Sequence, residues 1–311
     1  MEILIHGAGA MGLYFAARLQ QAGCRAHLVT RTAWETAPEV TVRVGEHQET
    51  VALSAVTETV PEGISPDLVI LATKAWAVPE ALKQLVEKIP SGTPILTLQN
   101  GITAPEYAAA AFPQAPVLAS TCVVIVQRSA PGLVALLGRE AQLTVGLFAM
   151  GDAGNEQEPL NLVERVFAGT AVELVPTADV QRALWKKLAL IASYGGVGAV
   201  TGLTVGQTRS FEPTRSLVWE AIKEVRSVAR ARGVEFTEDD AAEVFAVYAE
   251  GFDPGTTSSM QRDLAAGRPS ELEDQTGVVV ARAREVGVEV PVHEFIYRTQ
   301  SAREAIARAG A

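Results

Sequence analysis

Residues 1–21 of the chain, MEILIHGAGAMGLYFAARLQQ, decide the fold of its first part. The apolar run at residues 3–5 is typical of a buried strand, and residues 13–21 have the pattern of a helix. Between them lies the hexapeptide GAGAMG, from Gly7 to Gly12, which matches the pattern G-x-G-x-x-G. A Gly-rich turn alone means little, but this order of strand, turn and helix predicts a dinucleotide-binding unit.

Each glycine of the hexapeptide has a physical role in such a unit. Gly7 permits the tight turn, Gly9 lets the backbone approach a pyrophosphate, and Gly12 lets the helix pack close to the strand. The N–H groups at the start of the helix, where Ala10 and Met11 lie, would hold the phosphate oxygens with help from the helix dipole. We therefore expect these five residues to bind the cofactor.

The end of the second predicted strand, near residue 29, indicates which dinucleotide binds. An NAD-binding unit usually places Asp or Glu there, where the carboxylate bonds the ribose 2′-OH. In this chain Thr30 and Arg31 follow the strand, and no carboxylate occurs before Glu35. A guanidinium can bond phosphate oxygens in pairs, so Arg31 favours the 2′-phosphate of NADP(H) over a role as a solvated surface residue.

Composition limits the kind of protein that this can be. The chain has 311 residues, 48% of them hydrophobic, which is enough for two domains with sizeable cores. Its 26 Lys and Arg against 36 Asp and Glu give a net charge of −10, which argues against nucleic-acid binding. We see no apolar run that could span a membrane and no secretory leader before the first strand.

The cysteines and histidines suggest no metal site. Cys24 and Cys122 lack the spacing of metal ligands and are too few for a disulfide framework, and the four histidines are scattered. We expect both cysteines to act as small buried hydrophobic residues in a reducing cytoplasm.

Strand and helix patterns alternate through the first half of the chain. This alternation predicts an α/β fold, with a Rossmann-type doubly wound sheet over residues 1–178. Residues 40–44 and 50–53 favour a hairpin insertion, and residues 133–137 with 141–147 favour added antiparallel strands near the sheet edge. After Pro176 the pattern predicts a mostly α-helical second domain over residues 179–311, with helices at 180–192, 212–231, 237–250, 259–266, 270–286 and 292–309.

Several short motifs resemble those of one enzyme family. They are Ala72-Thr73-Lys74-Ala75, Leu98-Gln99-Asn100-Gly101, Trp185-Lys186-Lys187-Leu188, and Ser258-Ser259-Met260 followed by Asp263, Gly267-Arg268 and Glu271. Together with GAGAMG and Arg31, they resemble the ketopantoate reductases (2-dehydropantoate 2-reductases) over nearly the whole chain. The resemblance implies the reduction of a 2-keto acid by NADPH, as in pantothenate biosynthesis.

Lys74 and Asn100 each follow an apolar strand pattern. Because ligands of open α/β sheets bind at the carboxyl ends of the strands, we expect both side chains to face the nicotinamide half of the cofactor. The resemblance implies that both contact the cofactor or the substrate. A solvated loop lysine and an ordinary Asn-Gly turn are the alternatives that the residues leave open.

The resemblance also implies catalytic residues in the second domain. Hydride addition to a ketone builds negative charge on oxygen, which a nearby ammonium can stabilise and protonate. Lys187 is our candidate for this acid and for substrate contact, because the family's lysine directly precedes Leu-Ala; Lys186 is the competing candidate. Glu271 resembles the acidic residue that contacts the cofactor and organises the site, and Ser259 resembles a substrate-binding serine. Each candidate also has a purely structural alternative. The lysines could be solvated residues on the helix surface, Glu271 could be an acid that complements the helix dipole in the first turn, and Ser258 or Ser259 could be a helix cap.

The chain departs from the family pattern one and two turns after the lysine. Ketopantoate reductases usually carry substrate-binding asparagines there, whereas this chain has Ile191 and Gly195. We expect an apolar and then empty helix face, poor use of ketopantoate, and a better fit for a bulkier or more apolar 2-keto acid. The Gly-rich stretch that follows predicts a bend or end of the helix, which would let Ser193 or Tyr194 supply substitute polar groups.

Two other functions stay open at this point. The lost asparagines favour a non-catalytic NADP-binding sensor, against which Lys187 and Glu271 argue. Another hydroxyacid dehydrogenase of the 6-phosphogluconate dehydrogenase class should lack the spacing from Ser258 to Glu271. A small-molecule substrate is the expected partner, and the apolar second-domain helices fit either a homodimer interface or a core of their own.

Overall fold

The chain is described by a computed structural model for residues 1–32, 34 and 37–310. It divides into two compact units, Met1–Gln99 with Thr103–Val180 and Asn100–Ile102 with Gln181–Ala311. The sequence places residues 100–102 in the first domain, but they belong to the second unit. The reason lies at Gly101, where a Cβ atom would come within 2.6 Å of the backbone oxygen of Asp274.

The strands all lie in the first unit. In chain order they are β1 (Glu2–His6), β2 (Arg25–Val29), β3 (Glu39–Val44), β4 (His47–Ala52), β5 (Ala55–Thr57), β6 (Leu68–Leu71), β7 (Ile95–Thr97), β8 (Val117–Val123), β9 (Val126–Ala130), β10 (Leu133–Leu136), β11 (Gln142–Ala149) and β12 (Glu173–Pro176).

A largely parallel sheet forms the centre of the first unit and confirms the Rossmann-type prediction. Within the described residues its order is β12-β11-β8-β7-β6-β1-β2-β5, and β8 with β11 is its antiparallel pair. The central strands are continuous apolar runs because both faces of the sheet are covered. The helices of this unit are α1 (Ala10–Gln21), α2 (Val78–Val86), α3 (Thr103–Ala111) and α4 (Gln157–Phe167).

A second, small sheet has the order β4-β3-β10-β9. The predicted hairpin forms its β3 and β4, joined by a two-residue turn. The prediction that residues 133–137 extend the edge of the main sheet is wrong, because β10 pairs with β3 instead. Alternate residues of these two strands, including Val40, Val42 and Val134, are buried in the same hydrophobic cluster as Leu13 of α1. The small sheet therefore buries its apolar face against the core around α1.

Helices form the second unit, as predicted. They are α5 (Val180–Thr201), α6 (Val205–Ser210), α7 (Glu212–Ala231), α8 (Glu238–Glu250), α9 (Ser259–Ala265), α10 (Val278–Val286) and α11 (Pro291–Ala309), and a π-helical segment at Glu273–Gly277 leads into α10. Among the described residues, no helix combines the length and the hydrophobicity that crossing a bilayer requires.

Helix α5 is longer than the sequence predicts. The expected end of the helix in the Gly-rich stretch is wrong, because the helix continues to Thr201. A Cβ atom at Gly196 would lie 3.0 Å from Ile296 of α11, and one at Gly198 would lie 2.5 Å from the side chain of Gln261. The glycines let neighbouring helices pack closely, and this packing outweighs their low helix propensity.

Candidate active site

The glycine-rich loop lies between the carboxyl ends of two strands in the first unit. Gly7 has a φ of +117°, a backbone conformation that favours glycine. Its N–H donates to the backbone oxygen of Val29, at the end of β2, over 2.9 Å. A Cβ atom at Gly7 would lie 2.7 Å from the backbone nitrogen of Thr73, just beyond β6. The turn is therefore tight, and it packs against both neighbouring strand ends.

Gly9 and Gly12 differ in their surroundings. A Cβ atom at Gly12 would collide with the backbone oxygen of Gly7, so α1 approaches the loop more closely than any side chain allows. At Gly9, which precedes α1 with a φ of −76°, the described residues place no atom within 4 Å of the Cβ position. This open space at the start of a helix fits a phosphate group, which the N–H groups of Ala10 and Met11 would hold.

Arg31 and Lys74 follow the two strands that flank β1. Arg31 comes two residues after β2 and Lys74 three residues after β6, and both residues are exposed. Both strands pair in parallel with β1, so the two residues lie at the same sheet edge as the glycine-rich loop. Open α/β sheets bind their ligands at this edge. Glu35, the first carboxylate after Arg31, lies outside the described residues.

Gln99 has a structural role that the sequence analysis missed. Its buried amide donates to the backbone oxygens of Leu71 and Thr73, at 3.0 and 3.1 Å, and so holds the segment that leads to Lys74. Such an anchor can be recognised only once the pairing of β6 with β7 is known. Asn100, the next residue, is half-buried and belongs to the second unit.

In the second unit, two carboxylates hold Lys186, the first of two adjacent lysines of α5. The Nζ atom of Lys186 lies 2.7 Å from both Asp240 Oδ1 and Glu243 Oε2. Burial lowers the pKa of Lys186, but the two carboxylates outweigh this effect and raise the pKa above its ordinary value. An ammonium held in this way is a poor proton donor. Lys187 is half-buried and lies about 100° further round the helix, which favours it as the acid.

The two serines at the start of α9 also have separate positions. Ser258 is the helix cap, because its Oγ accepts from the backbone N–H of Gln261 at 3.0 Å. Ser259 is the first residue of the helix and is half-buried. The capping alternative therefore applies to Ser258, and the hydroxyl of Ser259 is not needed for it.

The helix face beyond Lys187 is not empty at its second turn. Ile191 is buried, and a Cβ atom at Gly195 would lie 2.8 Å from Ser258 Oγ. The expectation of vacated space at Gly195 is therefore wrong, because the start of α9 fills it. This contact places Ser258, the residue before Ser259, against α5 at a point about 12 Å along the helix axis from Lys187.

The two expected substitutes for the missing asparagines differ in accessibility. Ser193 is fully buried, and its Oγ has no hydrogen-bond partner among the described residues. Tyr194 is half-buried, and its ring lies 5.0 Å from that of Phe252. Burial raises the pKa of Tyr194 above its ordinary value, so its hydroxyl stays neutral at pH 7. Of the two residues, Tyr194 is the better candidate for substrate contact.

Glu271 lies in a buried, hydrogen-bonded segment. Glu271 is 5% exposed, and the side-chain amide of Gln275 donates to its Oε2 atom at 3.4 Å. The preceding residue, Ser270, donates its backbone N–H and its hydroxyl to Glu304 of α11, the latter at 2.6 Å. A carboxylate this buried is not a solvated first-turn acid that merely complements the helix dipole.

The π-helical segment directly after Glu271 was not predicted. It buries Asp274, Gln275 and Thr276, each with a side-chain oxygen that lacks a hydrogen-bond partner among the described residues. Gly101, next to Asn100, packs against the backbone of this segment at Asp274. Single π-helical turns are frequent at functional sites, and this one brings the Asn100 segment to the start of the helix that follows Glu271. No sequence signal distinguishes such a turn from an ordinary helix.

The carboxyl group of Asp274 gives a pH-dependence that can be tested. Burial, together with the nearby charges of Glu271 and Glu273, raises its pKa from 3.8 to about 6 against an opposing effect of Arg308. The folded chain therefore holds this proton more tightly than the unfolded chain, so the group costs stability as pH rises from about 4 to about 6. We expect Asp274→Asn to be more stable than the wild-type chain at pH 7, by at most about 3 kcal/mol, and this difference should shrink towards pH 4.

Urea denaturation at pH 4.5 and at pH 7 measures this difference. Asp253→Asn, at an exposed position of the same unit, is the matched control and should show no such pH-dependence. A stability difference between Asp274→Asn and the wild-type chain that stays constant with pH would contradict the prediction.

Comparison with known proteins adds independent information about these two units. The profile of the family "Ketopantoate reductase PanE/ApbA" matches residues 3–150, and that of "Ketopantoate reductase PanE/ApbA C terminal" matches residues 179–304. The 2-dehydropantoate 2-reductase of Halobacterium salinarum is 30% identical over 226 residues, which cover 73% of this chain and 72% of that one.

Solved structures show the same fold. A PanE/ApbA family ketopantoate reductase from Ralstonia eutropha JMP134 superposes with a TM-score of 0.86 at 27% identity, covering 99% of this chain and 100% of the other. A D-mandelate dehydrogenase bound to NADH and anilino(oxo)acetate superposes with a TM-score of 0.88 at 21% identity, covering 99% of each chain. The second likeness is one of fold alone.

Proposed function

Because the chain belongs to the ketopantoate reductase family of oxidoreductases, we propose that it reduces a 2-keto acid to a 2-hydroxy acid with NADPH. The observation that carries this proposal is that Lys186, the competing candidate for the acid, is held by two carboxylates. Lys186 is committed to Asp240 and Glu243, whereas Lys187 resembles the family's catalytic lysine in directly preceding Leu-Ala. A protein that only bound the cofactor would have no use for such a proton donor.

Each candidate residue then has a chemical task. Bound NADPH supplies the hydride. Lys187 stabilises the negative charge that develops on the carbonyl oxygen and donates the proton that completes the alcohol. The Ser259 hydroxyl bonds the substrate carboxylate, and Glu271 orients the ammonium and contacts the cofactor. Lys74 and Asn100 contact the cofactor or the substrate at the sheet edge.

The cofactor is held by the first unit in this proposal. The loop from Gly7 to Gly12 binds the pyrophosphate, and Arg31 binds the 2′-phosphate that distinguishes NADPH from NADH. The exposed position of Arg31 just after β2 supports this preference. The NADH-bound mandelate dehydrogenase makes NADH the necessary comparison.

The substrate is proposed to be more apolar than ketopantoate. Buried Ile191 and the filled space at Gly195 offer no amide to a polar substrate hydroxyl, and Tyr194 with Phe252 adds aromatic surface on the same unit. A site that lacks the hydrogen-bond partners of a hydroxyl loses its preference for the substrate that carries it.

Steady-state oxidation of NADPH tests the reaction and the substrate together. The panel contains ketopantoate, branched 2-keto acids and the aromatic phenylglyoxylate, with NADH measured in parallel. We expect NADPH to be preferred and a branched or aromatic acid to exceed ketopantoate at least about 10-fold in kcat/KM. A kcat/KM for ketopantoate above that of the other acids, within the usual range of about 10⁴–10⁸ M⁻¹s⁻¹, contradicts the proposed specificity.

The same experiment separates the second candidate function, a sensor. Ile191 and Gly195 favour it, since a sensor does not need substrate-binding asparagines. Binding of NADPH without reduction of any 2-keto acid in the panel supports the sensor. The second unit also exposes Phe211, Phe295 and Ile306, and a homodimer that covers some of these residues stays part of the proposal.

A further inference from the structure

Arg128 of the small sheet reaches the glycine-rich loop. Its Nη1 atom donates to the backbone oxygen of Ala8 at 3.1 Å. Ala8 lies between Gly7, which makes the turn, and Gly9, whose Cβ position is open. A guanidinium is therefore held beside the part of the loop that fits a phosphate group.

The strand that carries Arg128 explains this position. Val126, two residues earlier on β9, packs against the same hydrophobic cluster as Ala10 and Met11 at the start of α1. Side chains two residues apart share one face of a strand. Arg128 therefore lies on the face of β9 that is turned towards the loop.

The guanidinium of Arg128 retains donors for a ligand. The residue is exposed, and no carboxylate in the part of the chain that the structure describes pairs with it. A guanidinium carries five N–H donors, and the bond to Ala8 occupies only one of its nitrogens. A guanidinium with unused donors beside an open helix start is suited to an anion.

We propose that Arg128 binds the pyrophosphate of the nicotinamide cofactor, together with the N–H groups at the start of α1. The proposal rests on the proposed function, because it requires a nicotinamide dinucleotide as the ligand. Arg128 contacts the loop beside Gly9, so it addresses the phosphates that NADPH and NADH share. Arg31, which follows β2, addresses the 2′-phosphate that only NADPH carries. The two arginines thus have different effects on the two cofactors.

Binding measurements without substrate test this difference. Arg128→Gln removes the positive charge and keeps a polar amide side chain. We expect its Kd for NADPH and its Kd for NADH each to rise about 10- to 100-fold, by calorimetry or by cofactor fluorescence. Arg31→Gln should raise the Kd for NADPH alone. Arg43→Gln removes an exposed arginine of β3 in the same small sheet and should change neither value.

The possible results separate the role proposed for Arg128 from the proposed function of the whole chain. An Arg128→Gln chain with an unchanged thermal midpoint and both Kd values raised supports the proposal. Unchanged Kd values, or a rise for NADPH alone, overturn the assignment to the pyrophosphate while the proposed reductase function stands. A wild-type chain that binds neither cofactor removes both the inference and the proposed function.

Discussion

The Lys187→Ala variant is expected to reduce its 2-keto acid with a kcat about 10²–10⁴ lower than that of the wild-type chain. The reason is that the alkoxide formed by hydride transfer loses both its stabilising charge and its proton donor. The residue is only half-buried, so the fold should keep its stability within about 1 kcal/mol, and the Kd for NADPH should stay unchanged. Stopped-flow or steady-state oxidation of NADPH measures the loss.

Two further variants separate proton donation from charge. Lys187→Arg keeps a positive charge, but a guanidinium does not release its proton, so this variant should stay nearly as slow as Lys187→Ala. Lys186→Met is the matched control on the same helix. It should retain kcat but lower the free energy of unfolding by about 1–3 kcal/mol, because buried Asp240 loses a partner. A Lys187→Ala chain with normal turnover would exclude Lys187 as the acid.

The two variants Gly9→Ala and Gly12→Ala are expected to fail for different reasons. An added methyl group at Gly12 collides with the backbone of Gly7, so the loop or the first turn of α1 must move. We expect a loss of about 4 kcal/mol or more in the free energy of unfolding, or a chain that does not fold. Urea denaturation followed by tryptophan fluorescence measures this effect.

Gly9→Ala is expected to weaken cofactor binding without lowering the stability of the fold. Its methyl group meets no atom of the described residues, and a φ of −76° suits alanine, so stability should change by no more than about 1 kcal/mol. The same methyl group occupies the space proposed for the pyrophosphate. We therefore expect the Kd for NADPH to rise about 100-fold or more. A folded Gly9→Ala chain that binds NADPH like the wild-type chain would show that the pyrophosphate lies elsewhere.

The parts of the fold that follow from local patterns were predictable. The glycine pattern located β1 and α1, since a strand, a tight turn and a close-packed helix leave little choice of residue at Gly7 and Gly12. Helix α7 likewise follows from its apolar periodicity. The end of α5 was not predictable, because Gly196 and Gly198 disfavour a helix until Ile296 and Gln261 pack against them.

In the candidate site, too, some features were predictable from the sequence and others depend on tertiary contacts. The resemblance to a family pointed to Lys187, Ser259 and Glu271, but it could not tell that two carboxylates hold Lys186 or which serine caps α9. Those answers depend on Asp240 and Gln261, which contact the site residues through tertiary packing and hydrogen bonds. Arg128 was missed for the same reason, since nothing in its local sequence connects it with a loop 120 residues earlier.

The placement of Asn100–Ile102 has a consequence for dissecting this protein. The polypeptide passes from one unit to the other at residues 99–100, returns at 102–103 and crosses again after Val180. Neither half is thus a single uninterrupted stretch of chain. An N-terminal fragment that ends at residue 178 would retain the tripeptide Asn100–Ile102, which packs against Asp274 of the second unit. The C-terminal fragment would lack this tripeptide. Chimaeras that exchange halves with a relative must therefore transfer this tripeptide together with the C-terminal half.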